Sequence, residues 1–252
     1  MLLESEAAIL HVLNYSESSR IFRLVTREAG VLSAIARGAR RGKSGFGSAV
    51  DLFSHGTAHI SVKEGRDLQT LATFDVTRSR AAIASDLGRF AAASVFAELV
   101  LRFGTAEASP DLFDALSSVL DRIAVAPAGA AQEAGLSGAW RLVCELGFAP
   151  SVNSCGLCHA PVGVNRARRF SHDAGGVLCD RCAPSEPGAR TLPPEALACL
   201  VAWTNAHRVG ELAQRDARAH KRLLHEFVQH HMADGREMRA LEAWDTGPWR
   251  SA

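Results

Sequence analysis

From residue 1 to about 80, short apolar runs alternate with polar positions, and turn-forming stretches such as 27–30 and 63–66 punctuate them. The runs at 8–13, 19–26, 31–36, 56–63 and 68–75 predict five short strands. So many strands in so short a length suit a small barrel, because closure removes the unpaired edges that an open sheet of this size exposes. Near Thr77 the period changes. From Ala81 onward apolar residues recur at steps of three and four, as in Leu87, Phe90, Val95 and Leu99, which predicts a helix. Further helices are predicted over 111–125, 131–147, 194–209 and 215–233, with Leu197, Leu200, Leu223, Leu224, Phe227 and Val228 on their inward faces. The fold class expected is α+β, with strands over 1–80 and helices over 81–252.

The segment 151–190 interrupts the helical pattern with Cys155, Cys158, Cys179 and Cys182. Two C-x2-C turns facing each other close a tetrahedron of thiolates around one structural zinc ion, with no open coordination position for catalysis. The same spacing also admits disulfides, free thiols or a thioredoxin-like redox pair. Glu4 and Glu6 break the apolar start that a secretory segment needs, so a reducing, cytoplasmic setting is expected, where such cysteines hold metal. His159 and His172 lie between the pairs but are not needed as ligands, and Cys144 and Cys199 sit in apolar, helix-like surroundings as small hydrophobes.

The 252 residues are 47% hydrophobic, enough for one or two cored domains plus the cysteine insertion, and no apolar run reaches membrane-spanning length. A net charge of +1 conceals an asymmetry. Between residues 20 and 43 seven basic side chains face one acidic one, whereas between 81 and 150 four arginines face eight carboxylates. A polyanion responds to the local potential, so the basic segment is the candidate nucleic-acid contact. Arg37, Arg40, Arg41 and Lys43, spaced by glycines, can neutralise backbone phosphates, against the plainer reading of a solvated loop. Strand alternation sends Arg23 and Arg27 to one face and Arg20 to the other. Phe46, flanked by glycines, is the expected base-stacking ring, with Phe22 and Phe53 expected in the core. Arg166, Arg168 and Arg169, between the two C-x2-C pairs, form a possible second contact or else a solvated hairpin edge.

The stretches Ala8-Ile-Leu-His-Val-Leu-Asn-Tyr-Ser-Glu17, Arg20 to Thr26, Glu28-Ala-Gly30 and Ala36-Arg-Gly-Ala-Arg-Arg-Gly-Lys-Ser44 resemble the bacterial recombination mediator family RecO. Tyr15-Ser-Glu17 departs from the glycine usual before that glutamate. The likeness continues more loosely through the helices, the four cysteines and the stretch from His225 to His231. The resemblance implies an OB-fold barrel followed by a helical domain carrying the zinc knuckle. It also implies a DNA repair protein that binds single- and double-stranded DNA and anneals complementary strands. Its implied partners are RecR and the C-terminal tail of single-stranded DNA-binding protein, in loading RecA near the nucleoid.

No phosphate-cradling G-x-x-x-x-G-K-[ST] loop, G-x-S-x-G elbow or H-E-x-x-H helix occurs, and Gly38 stands at the wrong distance from Gly42-Lys-Ser44 for the first of these. The expectation is therefore not an enzyme. A zinc-ribbon DNA-binding regulator and a zinc or thiol enzyme are the competing readings.

Overall fold

The computed structural model describes residues 1–39, 46, 50–127, 130–207, 209–210, 212–232 and 236–246. Strands β1 (Leu2–Asn14), β2 (Arg20–Thr26), β3 (Gly30–Ala36), β4 (His55–Ser61) and β5 (Leu68–Arg78) close into a barrel in the order β1-β2-β3-β5-β4. Four of the five neighbour pairs are antiparallel and β3 runs parallel to β5. This is the five-stranded barrel arrangement of an OB-fold. Strand alternation turns Ile9, Phe22, Leu24, Ala34, Ile60, Leu71 and Phe74 into a closed core. Long β1 serves both halves, pairing through its first residues with β4 and through its last with β2.

Helices α1 (Ala81–Ala84), α2 (Leu87–Phe103) and α3 (Pro110–Val125) belong to the same compact unit as the barrel, Met1–Val125. The one helix expected from Ala81 is split because the Asp86 side chain accepts from the Arg89 N–H at 2.8 Å and caps a new start. The β2–β3 hairpin docks on the loop after α2 through the Val31 N–H, which donates to Thr105 O at 2.8 Å. Gly30 makes that approach at φ +59°, and a Cβ there would overlap the carbonyls of Thr105 and Glu107. Buried Arg80 ties the barrel's exit to α3. Its Nε donates to Asp121 at 2.7 Å, Nη1 to Phe53 O at 3.0 Å and Nη2 to Ser117 Oγ at 3.0 Å.

The second unit, Ala126–Ala252, holds α4 (Ala131–Glu145), a small sheet of β6 (Arg168–Ser171), β7 (Gly176–Leu178) and β8 (Arg190–Leu192), then α5 (Pro194–Thr204), α6 (Gln214–His231) and α7 (Arg239–Thr246). The sheet order is β7-β6-β8. Helix α4, in which the small residues Gly135, Gly138 and Ala139 are buried, packs on α5 and α6, and Trp140 meets Phe227 at 5.3 Å between centroids. Phe170 of β6 also meets Phe227, at 6.1 Å, which joins the cysteine-bearing sheet to α6. Trp203 Nε1 donates to buried Glu133 at 3.1 Å.

Buried His220 stands edge-on to Trp203 at 4.7 Å, and neither of its ring nitrogens has a hydrogen-bond partner. Burial pushes its pKa down to about 4. The unfolded chain then binds the extra proton between pH 6.5 and 4, so the histidine's contribution to stability is intact above 6.5 and is lost as pH falls toward 4. Urea titrations of the second unit at pH 7.5 and 5.0 should differ by about 2 kcal/mol from this group alone. His172 and His231, lowered by burial as well, add in the same direction. A His220→Phe variant that keeps the full acid loss would remove His220 as its source.

Candidate nucleic-acid interface and metal centre

Closing the barrel brings together loops far apart in sequence. The turn after β1, the end of β3 and the turn before β5 enclose a cleft of about 930 Å³ lined by Tyr15, Ser19, Ile35, Arg37, Arg66 and Leu68, among others. An outward row of register partners, Leu13, Ile21, Ile35 and Thr70, runs across β1, β2, β3 and β5 toward it. Tyr15 is 65% exposed and Leu68 38%, so the cleft combines an accessible ring, aliphatic surface and two guanidinium side chains. A strand's bases can rest on such a surface while its phosphates meet the cations.

Of the residues singled out from the sequence, Arg37 lies in this cleft, while Arg40, Arg41 and Lys43 fall outside the described residues. Arg23 and Arg27 are held by the helices of the barrel unit. Arg23 Nη2 donates to Leu101 O at 3.0 Å, and Arg27 pairs with Asp114 while its guanidinium carbon stands 5.8 Å from the Phe113 ring centroid. The Asp114 hydrogen bond raises the Arg27 pKa, and Arg27 in turn lowers that of Asp114. Phe46 differs from the expectation. It is only 8% exposed and packs against Phe22 in the barrel core, at 6.4 Å with rings 21° apart. Burying an aromatic ring is worth more than leaving it beside two glycines in water. Tyr15 and Arg66, not selected from the sequence, occupy the accessible positions instead; the signal for each was only its place in a turn between strands.

The cysteines are brought together by two tight turns. In the first, the Cys155 N–H donates to Ala160 O at 2.8 Å and the His159 N–H to Cys155 O at 2.9 Å, with His159 at φ +59°. The Gly156 N–H donates to Val177 O at 2.8 Å, and a Cβ at Gly156 would strike Ala174 O, so this turn sits flush on β7. In the second, the N–H groups of Cys182 and Ala183 both donate to Cys179 O, at 3.1 and 2.9 Å. All four Sγ atoms then lie within 4.8 Å of one another, with Cys158 and Cys179 3.7 Å apart. Thiolates bound at 2.3 Å in a tetrahedron sit about 3.8 Å from each other, so the donor set fits a metal ion and is consistent with zinc.

The electrostatics agree. Burial opposes ionisation of Cys155, yet N–H groups of Cys179, Cys158 and Leu157 outweigh it and bring its pKa to about 6. The Ala160 N–H and the Arg181 side chain lower that of Cys158. Hydrogen bonds with Cys158 and Cys179 push Cys182 up to about 12, the response of clustered sulfurs that cannot all be anionic until a cation joins them. Arg166 and Arg168 both reach Asp180, next to a cysteine, and Arg169 Nη2 donates to Pro187 O at 3.0 Å. These three arginines brace the loop between the turns. Cys144, whose thiol burial pushes up to about 11, and Cys199 lie outside the cluster.

A family model described as "Recombination protein O N terminal" matches residues 1–80, and one described as "Recombination protein O C terminal" matches 84–239. A "DNA repair protein RecO" of Anaeromyxobacter sp. (strain K) is 37% identical over 245 residues, covering 94% of this chain and 93% of that protein. Proteins of the same name from Myxococcus xanthus and Gloeobacter violaceus are 30% identical over 240 residues and 32% identical over 185. They cover 95% of each chain in the first case, and 73% of this chain and 70% of the relative in the second. Among the described residues no helix is long and apolar enough to cross a membrane. With an OB-type barrel under the N-terminal match and a helical unit with its cysteine cluster under the C-terminal one, this chain belongs to the RecO family of DNA repair and recombination proteins.

Proposed function

We propose that this protein is a recombination mediator without catalytic turnover. It binds single- and double-stranded DNA, anneals complementary strands and, with RecR, helps load RecA onto DNA coated with single-stranded DNA-binding protein, whose acidic tail the helical unit receives. The observation that carries this reading is the cleft on the barrel that Tyr15, an exposed ring able to stack on bases, lines together with Arg37 and Arg66. Arg40, Arg41 and Lys43, the next basic residues in the sequence after Arg37, are assigned to DNA on their charge and spacing alone. Annealing needs strand charge neutralised and bases left free to pair, which a stacking-plus-cation surface supplies without a nucleophile. The metal is one structural zinc ion on Cys155, Cys158, Cys179 and Cys182, and its role is to fix the fold of the cysteine-bearing sheet. Arg166, Arg168 and Arg169 serve that loop's structure first and DNA second. The setting is the cytoplasm, at the nucleoid.

The test is annealing of complementary strands precoated with single-stranded DNA-binding protein, with and without this protein. Acceleration is expected; a protein that binds one duplex sequence tightly and accelerates nothing would instead be a zinc-ribbon regulator. The double variant Arg37→Ala/Arg66→Ala should flatten the salt dependence of single-strand affinity by about 1.4 in log–log slope, at roughly 0.7 for each phosphate no longer neutralised. Tyr15→Ala should cost about 1–3 kcal/mol of affinity with little change in that slope. Equal salt slopes in intact and double-variant protein would move the DNA elsewhere.

A further inference from the structure

The second unit contains a groove of about 560 Å³ between β8, the start of α5 and α6. Its floor is apolar, from Leu192, Pro193, Ala219 and Leu223, and its rim carries Arg190, Arg218, Arg222 and Asp216. Arg190 and Arg222 converge on Glu226, the former through its Nε at 2.5 Å and the latter at 3.0 Å. Arg215, one turn before Arg218, continues the cationic line along α6 beyond the groove; its side chain is 93% exposed and its Nε stands 3.5 Å from the half-exposed Asp216 carboxylate. At the helical rise of about 1.5 Å per residue, Arg215, Arg218 and Arg222 stand some 4–6 Å apart along the axis. A regular row of cations beside an apolar slot suits a ligand that repeats an anion and carries a flat apolar group.

Buried His220 also lines this groove, 3% exposed and with both ring nitrogens lacking partners. An imidazole with no partner at either nitrogen is a cost unless something supplies one. We propose that the groove is a second single-strand nucleic-acid site, in which phosphates follow Arg215, Arg218 and Arg222 while a base enters over Leu192 and Leu223 beside His220 and Asp216.

Two groups separate a nucleotide from an acidic peptide. A neutral imidazole holds one N–H and one lone pair, and its depressed pKa keeps His220 neutral at pH 7. Both His220 nitrogens are buried in this structure, so the ring must turn toward the groove to be met; a nucleobase edge, with both donors and acceptors, then suits either nitrogen, whereas a carboxylate can only accept. Asp216 repels a carboxylate but accepts from an exocyclic amino group, as acidic side chains do from cytosine N4. The groove therefore fits a strand, and cytosine better than thymine.

This inference rests on the annealing reading and deepens it: two strands meeting on one protein need two sites. The experiment is the binding stoichiometry of the whole, metal-loaded chain with a six-nucleotide oligodeoxycytidine, read by native mass spectrometry. Two copies per intact chain are expected, one per Arg215→Glu/Arg218→Glu chain and one per Tyr15→Ala/Arg37→Ala chain. The groove variant should anneal at least tenfold more slowly at an unchanged thermal midpoint. Oligothymidine should fill the groove more weakly than oligodeoxycytidine. If the groove variant still binds two copies, or oligo-aspartate displaces the second copy more readily than oligodeoxycytidine does, the inference is overturned and the annealing reading stands. If only the barrel variant keeps both copies, the barrel assignment fails and the groove stands.

Discussion

Replacing Cys155 with serine should abolish metal binding and melt the cysteine-bearing sheet of the second unit while the barrel stays folded. Cys155 is the buried member of the set, and its turn docks on β7 through Gly156. Structural zinc contributes on the order of 10 kcal/mol or more of apparent binding free energy, comparable with the whole stability of an ordinary domain. The cysteine-bearing sheet has three strands of three or four residues, too few to persist unaided. The loss should spread to α6, because Phe170 and His172 pack against Phe227, at 6.1 and 6.5 Å. Metal analysis should fall from about one ion per chain to none, and trypsin should cut rapidly at Arg168 and Arg169, which the folded sheet partly covers. In a pH series, metal affinity should weaken as acidity rises, since each thiolate must shed a proton to bind. A Cys155→Ser protein with unchanged thermal midpoint and trypsin resistance would show that the metal is not structural.

Asp121→Ala should destabilise the barrel unit by about 3 kcal/mol, among the largest single effects outside the metal centre. Arg80 is buried, and burial lowers its pKa because the charge is costly there; Asp121 is its anionic partner. Removing the carboxylate leaves the guanidinium with Phe53 O and Ser117 as neutral acceptors. Arg78 also pairs with Asp121 but is half exposed, so its share is small. Restoring an apolar pair with Arg80→Met/Asp121→Ala should recover much of the loss, because no unpaired charge then remains. Urea midpoints of the two variants decide the matter: equal values would mean the buried cation is not what makes the single change costly.

The parts of this molecule legible in its sequence are those set by local periodicity or by spacing. Alternation located all five barrel strands, and C-x2-C spacing located a cluster that the fold does assemble. The α7 helix was not expected, since eight residues after a polar stretch carry little periodic signal; it is held by packing on α6, where Lys221 lies over the Trp244 ring at 4.6 Å. Alternation placed Arg23 and Arg27 on one face but carried no information about which helix covers it. Phe46 looked accessible because its neighbours are glycines, and only the closed core showed that a ring was needed there. Tyr15 and Arg66 come to line one cleft through barrel closure, a relation between distant turns that no window of sequence contains.

The double pairing of β1 also sets an order of events during synthesis. Its C-terminal half finds β2 within a hairpin's length, but its N-terminal half waits for β4, some fifty residues later in the chain. At ribosomal speeds of about 5–20 residues per second, that leaves an open strand edge for about 3–10 s. The nascent β1–β2–β3 meander is thus an exposed template for pairing with a neighbouring nascent chain, and Lys or Glu at Leu2, already 68% exposed, is where a guard against such association belongs.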